Sequence, residues 1–268
     1  MTTRLDTELV RRGLARSRRH AGELIAAGLV AVDGRPALRS STPVDPERGV
    51  TVAQDDDPGY ASRAGHKLAG ALDALPQLDV VGRRCLDAGA STGGFTDVLL
   101  RRGALSVCAV DVGHDQLVDR LRDDPRVEVR EGVNVRTLAA GDVDPAPSLV
   151  VADLSFISLP LVLPALVAVA APDADLLVMV KPQFEVGRER LGSGGVVRDP
   201  LLRADAVVTV AHAAAELSLA VRGVVTSTLP GPSGNVEYFL WLRAEASPQV
   251  PTEQIEGVVT GALPGGAL

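Results

Sequence analysis

Residues 85–95 read C-L-D-A-G-A-S-T-G-G-F. A short apolar entry ends in Asp87, a run of Gly, Ala and Ser follows, and T-D-V-L-L-R-R then begins an amphipathic helix pattern. Strand, glycine turn and helix let a backbone approach a bulky ligand closely, because glycine tolerates positive φ and carries no Cβ. The first turn of that helix is expected to present unpaired N–H groups. The spacing is not G-x-G-x-x-G, and no lysine follows the glycines as a phosphate-binding loop requires.

A second acidic strand end comes 24 residues later in S-V-C-A-V-D, where Asp111 is placed to accept hydrogen bonds from ribose hydroxyls. Two ligands fit acidic ends on successive strands: a nicotinamide dinucleotide and S-adenosylmethionine. Asp87 favours the second, because a carboxylate beside the first glycine turn repels a pyrophosphate and suits the cationic methionine portion.

The chain has 268 residues, 46% of them hydrophobic, enough for one full core and a small second domain. Cys85 and Cys108 fall inside predicted strands and read as small core residues of a reducing compartment. The N-terminus M-T-T-R-L-D-T-E-L-V-R-R has no apolar stretch of a secretory signal, and the longest apolar run, L-P-L-V-L-P-A-L-V-A-V-A-A, is short and broken by proline. A cytoplasmic protein without a membrane span is expected. Net charge is −7, yet residues 1–40 hold eight arginines against four acids. That asymmetry describes a basic module on an acidic body.

The basic segment has its own punctuation. Leu5, Leu9 and Val10 are at helical spacing, Gly13 is a stop, Ser17 caps R-R-H-A-G-E-L-I-A-A, and Gly28 closes it. L-V-A-V-D-G-R-P-A follows as a strand with an Asp-Gly turn. The run R-L-D-x-x-L-V-x-R-G-L-A-x-S-R-x-x-A-x-x-L-I-x-x-G-x-V-x-V-D-G resembles the S4 RNA-binding fold. The resemblance implies basic helices facing structured RNA, with Arg4, Arg16, Arg18 and Arg19 as candidate phosphate contacts and Arg63 beyond them.

A-Q-D-D-D-P-G reads as a linker, and Lys67 opens the helix K-L-A-G-A-L-D-A-L, read either as an ordinary surface lysine or as a cation held there by an acidic partner. From Val81 to Leu242 strands and helices alternate, which predicts a doubly wound α/β domain. Strands are expected near 83–88, 106–111, 127–131, 148–153, 175–181, 221–228 and 236–243, the last antiparallel as in class I S-adenosylmethionine-dependent methyltransferases. Open α/β sheets bind ligands at the carboxyl ends of their strands, which gathers Asp87, Asp111, Asn134, Asp153 and Lys181 around one crevice. Asn134 is read either as a contact to an adenine edge or as a loop cap. Lys181, following L-L-V-M-V, is expected to be partly desolvated, and Glu237, inside an apolar aromatic strand, needs a partner. A structural ion pair of Lys181 with Glu237 is the plain alternative to a catalytic role.

Other chemistries on such a fold need residues that are missing here. Pyrimidine C5 transfer needs a cysteine in the crevice, whereas both cysteines are mid-strand. Transfer to a base amino group commonly uses Asn/Asp-Pro-Pro-Tyr/Phe after the fourth strand, where this chain reads A-D-L-S-F. A set of lysines and carboxylates instead suits an alcohol, a poor nucleophile until its proton is removed or its oxygen oriented.

The segments S-R-A-G-H-K-L, C-L-D-A-G-A-S-T-G-G-F-T, A-D-L-S-F-I-S-L, V-K-P-Q-F-E-V-G, G-G-V-V-R-D-P and G-P-S-G-N-V-E-Y-F-L-W-L closely resemble the hemolysin-A-like (TlyA) ribosomal RNA 2′-O-methyltransferases, which join an S4 domain to an FtsJ-like domain. The resemblance implies Lys67, Asp153, Lys181 and Glu237 as a catalytic tetrad. It further implies cytidine 2′-hydroxyls of ribosomal RNA in 30S and/or 50S subunits as substrate, with no metal and no DNA partner. Actinobacterial-type members confer sensitivity to cyclic-peptide ribosome inhibitors such as capreomycin. The candidate S-adenosylmethionine set is Asp87, Gly89, Ser91, Gly93, Gly94, Phe95, Asp111, Val112, Asn134 and Asp153. The expected division is an S4-like domain at 1–57, a linker at 58–66, the FtsJ-like domain at 67–246 and a tail at 247–268. Where the family often has Arg-x-Trp-Val before the Ser-Arg pair, Pro58–Ala61 reads P-G-Y-A, keeping an aromatic and losing the arginine. The alternatives are a non-catalytic S4-type RNA-binding factor and a membrane-active hemolysin. Intact acids and lysines oppose the first, and the lack of a basic amphipathic helix with a large apolar face opposes the second.

The loop V-G-R-E-R-L-G-S-G-G-V-V-R-D-P after Lys181 combines glycines with arginines suited to phosphate and is expected to border the RNA-entry side. Its amides should gain hydrogen-exchange protection when ribosomal subunits are added; unchanged protection would oppose that placement.

Overall fold

The computed structural model describes residues 2–26, 29–37, 39–52, 58–244 and 250–267 and divides into two compact units, Met1–Gly59 and Tyr60–Leu268. In the first unit, β1 (Thr3–Arg4) leads directly into α1 (Leu5–Arg11), followed by α2 (Arg18–Ala26), β2 (Val30–Val32), β3 (Arg35–Pro36), β4 (Pro43–Val44) and β5 (Val50–Val52). Leu5 and Leu9 fall one helical turn apart and are fully buried, and Ala21, Leu24 and Ile25 repeat the pattern on α2. Ser17 Oγ accepts the His20 N–H at 3.1 Å, an N-cap bond that starts α2. Asp33 and Gly34 both take positive φ, which turns β2 back onto β3; β2 also pairs with β5, and β1 with β4, all antiparallel. Gly28, expected to close α2, and Asp55–Asp57 of the linker lie outside the described residues.

The second unit begins with α3 (Ala64–Ala74), so Lys67 is inside the first turn rather than opening the helix. It continues with β6 (Arg84–Ala88), α4 (Gly94–Arg101), β7 (Ser106–Asp111), α5 (Asp119–Arg122), β8 (Val127–Glu131), β9 (Leu149–Ala152), α6 (Leu163–Val169), β10 (Asp175–Val180), α7 (Pro182–Glu185), α8 (Pro200–Glu216), β11 (Leu219–Thr226), β12 (Tyr238–Ala244), α9 (Thr252–Thr260) and β13 (Gly266–Ala267). The sheet order is β8-β7-β6-β9-β10-β12-β11-β13, with β6 to β10 parallel and β12 antiparallel to both its neighbours. The expected seven strands are present with small shifts of their ends. The two-residue β13 adds an eighth on β11 among the described residues. The segment expected as a tail is therefore partly folded. Ile255, Val258 and Val259 of α9 recur at helical spacing, are buried, and cover the sheet beside β11.

Strand order reverses between β6 and β9, which opens a crevice at their carboxyl ends. The parallel strands are apolar on both faces because helices cover both. Leu86, Val150, Val178, Leu240 and Leu242 pack in the core shared with α6, α8 and α9; Cys85, Leu149, Val151, Leu177, Met179, Phe239 and Trp241 pack in the core shared with α3 and α4. The alternation continues past each strand end. Asp87, Asp153, Lys181 and Glu237 carry the parity of the second set, the face from which α3 brings Lys67.

α3 crosses α4 at two glycines. A Cβ on Gly94 would stand 2.2 Å from Ser62 Oγ and 2.9 Å from the backbone nitrogen of Gly65. Gly94→Ala should thus destabilise the fold by about 1–3 kcal/mol, read as a lower urea midpoint; an unchanged midpoint would show that the crossing tolerates a methyl group.

Candidate functional site

The β6–α4 turn is built from inside outward. Asp87 is fully buried, and its Oδ2 accepts the Thr96 hydroxyl at 2.7 Å. The Thr96 backbone N–H also favours this carboxylate, so Asp87 turns inward against the first turn of α4. Oδ1 of Asp87 is buried with no hydrogen-bond partner among the described residues. Burial, only partly offset by the bonds from Thr96, pushes this carboxyl up to about 7, with Asp153 and Asp111 adding to the rise.

The space around Phe95, Gly93 and Gly94 is filled by the protein's own side chains. Phe95 is buried against Phe239, ring centroids 6.0 Å apart. The space above Gly94 is taken by Ser62 and Gly65, and that above Gly93 by Leu117 and Leu121. Gly89 is required by a backbone neighbour, since a Cβ there would lie 2.6 Å from the Asp153 carbonyl oxygen at a φ of +89°. The sequence shows only that small residues are needed; which neighbour claims the space depends on the crossing of elements.

Asp111 is held in place at the end of its strand. Its Oδ2 accepts the Ser91 N–H at 2.8 Å and Oδ1 the Gly113 N–H at 2.7 Å, which fixes the carboxylate at the end of β7 with lone pairs remaining. Ser91 is exposed with its hydroxyl 3.3 Å from Gln116 Oε1, and Val112 is 70% exposed, an apolar face beside that carboxylate. Asn134 is exposed and caps its own loop, its Oδ1 accepting the Arg136 N–H at 3.1 Å. Taken together, a fixed carboxylate, an exposed valine and a buried carboxylate oxygen lacking a donor suit a ligand with ribose, a flat ring and an ammonium group. These residues fit S-adenosylmethionine.

Four ionisable side chains form two ion pairs. Lys67 Nζ is 2.5 Å from Glu237 Oε2, both groups buried. Lys181 Nζ is 2.6 Å from Asp153 Oδ1 and 3.0 Å from Ser155 Oγ. The ion pair of Lys181 with Glu237, the plain alternative to a catalytic role, does not form; each takes another partner. The pairs are neighbours nonetheless: Val180 is registered against Tyr238 on adjacent antiparallel strands, and Lys181 and Glu237 are the next residue on each. Gly231 keeps the Glu237 carboxylate in place, because a Cβ there would stand 2.6 Å from Oε1. Cys85 and Cys108 are free and buried, and burial pushes their thiols up to about 12 and about 11, so neither is a nucleophile.

Phe156 is a residue the sequence reading passed over. It is 91% exposed, takes a φ of +63°, and its ring lies 5.2 Å from that of Phe184. A bulky residue in the left-handed region is an outlier that the surroundings must hold. The signal was present as an apolar ring in the loop after Asp153, within A-D-L-S-F-I-S-L. The loop after α7 is fastened at its far end: Asn235 donates to the Gly195 carbonyl at 2.9 Å and accepts the Val197 N–H at 2.9 Å, while Val197 packs with Val186.

In the first unit the candidate arginines already have carboxylate neighbours. Arg4 and Arg18 both reach Asp6, at 3.0 and 3.1 Å, and Arg19 reaches Glu23 at 3.2 Å. Arg16 is exposed, and so is Arg63 of the second unit, which reaches the Pro230 carbonyl at 3.3 Å. The Arg19–Glu23 pair is exposed on both sides, and such pairs are weak and open readily to a phosphate, whereas Asp6 is itself buried. Arg11 and Arg12 are structural, clamping the buried Glu8 and holding its carboxyl down to about 2. Arg35 and Arg39 are exposed, with no side-chain partner among the described residues, and join the candidates. Among the described residues no group of three metal-ligating side chains occurs and no helix is long and apolar enough to cross a membrane.

Comparison with known proteins follows the same two units. The FtsJ-like methyltransferase pattern matches residues 60–244 and the S4 domain pattern residues 3–50. The chain is 55% identical over 260 residues to the 16S/23S rRNA (cytidine-2′-O)-methyltransferase TlyA of Mycobacterium tuberculosis, covering 97% of each. It is 36% identical to Hemolysin A of Brachyspira hyodysenteriae, covering 88% of this chain and 98% of that one. A solved structure from Streptococcus thermophilus, also bearing a hemolysin name, superposes with a TM-score of 0.76 at 37% identity, covering 97% of this chain and 95% of that one.

Asp87 makes a pH signature of its own. An unfolded aspartate loses its proton near pH ~3.9, while the folded one keeps it to about 7. The native state thus binds more protons in this interval, and its stability falls as pH rises through it. Asp87→Asn does not titrate, so its stability relative to the native chain should climb by about 4 kcal/mol between pH ~4 and pH ~8. Urea unfolding at several pH values measures this; a difference independent of pH would show that Asp87 is ionised throughout.

Proposed function

This chain belongs to the TlyA family of FtsJ-like methyltransferases with an N-terminal S4 domain, and we propose that it methylates the ribose 2′-hydroxyl of cytidine in ribosomal RNA, within 30S and/or 50S subunits, using S-adenosylmethionine. The observation that carries this reading is the pair of buried lysine–carboxylate contacts side by side at the carboxyl end of the sheet. Two lysines buried at a cleft are costly unless each is held by a carboxylate, and such held amines are suited to an alcohol oxygen.

S-adenosylmethionine supplies a methyl group on a cationic sulfur. Asp111 would hold the ribose hydroxyls of that donor, Val112 would offer an apolar face to its adenine, and Asp87 would accept from its ammonium. Lys181, held by Asp153 and Ser155, directs its amine at the RNA 2′-oxygen and orients it; the neutral amine takes the hydroxyl proton on Nζ, and the ammonium so formed is balanced by the Asp153 carboxylate. A donor held there would give its methyl carbon to this oxygen, with the sulfur leaving with the electron pair of the broken carbon–sulfur bond. Lys67 and Glu237 set the position of the same oxygen from the α3 side. In-line placement is the remaining requirement. Phe156, exposed next to Asp153, offers a ring for a base lifted out of its stack. The Met1–Gly59 unit holds structured RNA through Arg4, Arg16, Arg18 and Arg19, with Arg63 contributing from the second unit.

Nucleoside mass spectrometry of ribosomal RNA, with and without the protein, tests the reaction and separates it from an RNA-binding or membrane-active role. Lys181→Ala should lower methyl transfer by about 100-fold or more while calorimetry finds S-adenosylmethionine affinity nearly unchanged. Substantial remaining turnover would remove Lys181 from the mechanism.

A further inference from the structure

The two motifs after β9 and β10 meet at three points. Lys181, Phe184 and Glu185 are at i, i+3 and i+4, and the Phe184 N–H bonds to the Lys181 carbonyl at 2.8 Å, so the three lie along one face of a single helical turn. Each holds a different part of the loop that leaves β9. Lys181 takes Asp153 and Ser155, Phe184 takes the ring of Phe156, and Glu185 takes the loop's far end. Glu185 Oε2 accepts the Ser158 hydroxyl at 2.5 Å, and Oε1 accepts the Leu159 backbone N–H at 2.9 Å. Leu159 is buried beyond that point, so the carboxylate anchors the loop where it enters the core.

We propose that Glu185 is a positioning residue for the methyl transfer: by fastening Ser158 and Leu159 to α7 it holds the 153–158 loop in the one shape that keeps Ser155 on Lys181 and Phe156 exposed at positive φ. The inference rests on the reading of Lys181 as the group that addresses the 2′-oxygen. Glu185 itself touches neither Lys181 nor Asp153 in the structure; it acts through the loop. Its carboxyl is pushed up by burial, offset by the two bonds it accepts, which marks a group retained in a half-buried place for those bonds. A loop free to relax would let Phe156 leave its left-handed conformation and draw Ser155 from the amine, and small misplacements of reacting groups are expensive in rate.

The test compares Glu185→Ala, Glu185→Gln and Ser158→Ala. Glutamine keeps an acceptor for the Leu159 N–H, and its amide can donate to the Ser158 hydroxyl, so it is the rescuing variant. Glu185→Ala should lower kcat by about 10- to 100-fold, with the KM for ribosomal subunits and the S-adenosylmethionine affinity changed less than about threefold. Glu185→Gln should recover most of that loss, and Ser158→Ala should show a smaller fall in kcat of the same kind. Amide exchange at residues 154–159 of the isolated protein, measured without substrate, should quicken in the alanine variants and not in Glu185→Gln. Wild-type kcat in Glu185→Ala, or a lowered kcat with unchanged exchange in the loop, would overturn the proposal. Should Glu185→Ala fail to fold, Ser158→Ala carries both readouts. If the native chain left ribosomal RNA unmethylated, the reaction would fall and the positioning role with it, while the exchange data would still decide whether Glu185 fastens the loop.

Discussion

Lys67 and Glu237, 170 residues apart in the chain, meet at 2.5 Å where both are buried. Neither charge is tolerable there without the other, because an unpaired ion in a low-dielectric interior carries a penalty of several kcal/mol. The pair thereby ties the first helix of the catalytic unit to its last long strand. It also sets how far α3 projects over the carboxyl end of the sheet, and so the side wall of the cleft. An apolar pair of similar volume would fill the same space at least as stably. The retention of charge is the strongest physical argument that this end of the sheet serves chemistry and not packing.

The remaining parts of the cleft are organised by the same economy of contact. Gly65 and Gly94 let α3 and α4 approach until Ser62 fills the gap, which brings Lys67 within reach of Glu237. Asp97, near the start of α4, accepts the Ala61 N–H at 2.8 Å and pairs with Arg101 at 2.9 Å, so the chain entering α3 is moored to the helix that follows the glycine turn. Desolvation works against that carboxylate, yet Arg120 and its other partners outweigh it and hold it below the usual range. Tyr60, the aromatic kept from the family's linker pattern, has the Arg101 guanidinium 5.0 Å from its ring centre and His66 edge-on at 5.2 Å. An arginine therefore stands against this aromatic after all, supplied by α4 and not by the linker.

Glu8 is fully buried, and Arg11 and Arg12 are spent in neutralising it, with Arg12 also donating to the Pro46 and Arg48 carbonyls at 2.9 Å each. Arg4 and Arg18 share Asp6, which is itself buried, but their own side chains stay exposed, where a polyanion can compete for them. Positive charge counted along the chain thus overstates what is available to RNA, and the arginines on exposed positions are the ones that matter.

The residue pattern alone determined the alternation of strand and helix, the two acidic strand ends and the S4-like helices, whereas Lys67, Asp153, Lys181 and Glu237 were grouped only by family resemblance. Each of those patterns is a local matter of period, capping or turn chemistry: Ser17 caps α2 because a hydroxyl can reach three residues ahead, and Leu176–Val180 is a buried strand because it is apolar on both faces. Only the tertiary structure decided that Lys181 takes Asp153 while Lys67 takes Glu237, and that Asp87 turns inward against α4. It also decided that Phe95 and Gly94 belong to the core, and that residues 252–267 complete the sheet edge. Those outcomes depend on strand order, register and the crossing of helices, which bring together side chains that no periodicity along the chain relates.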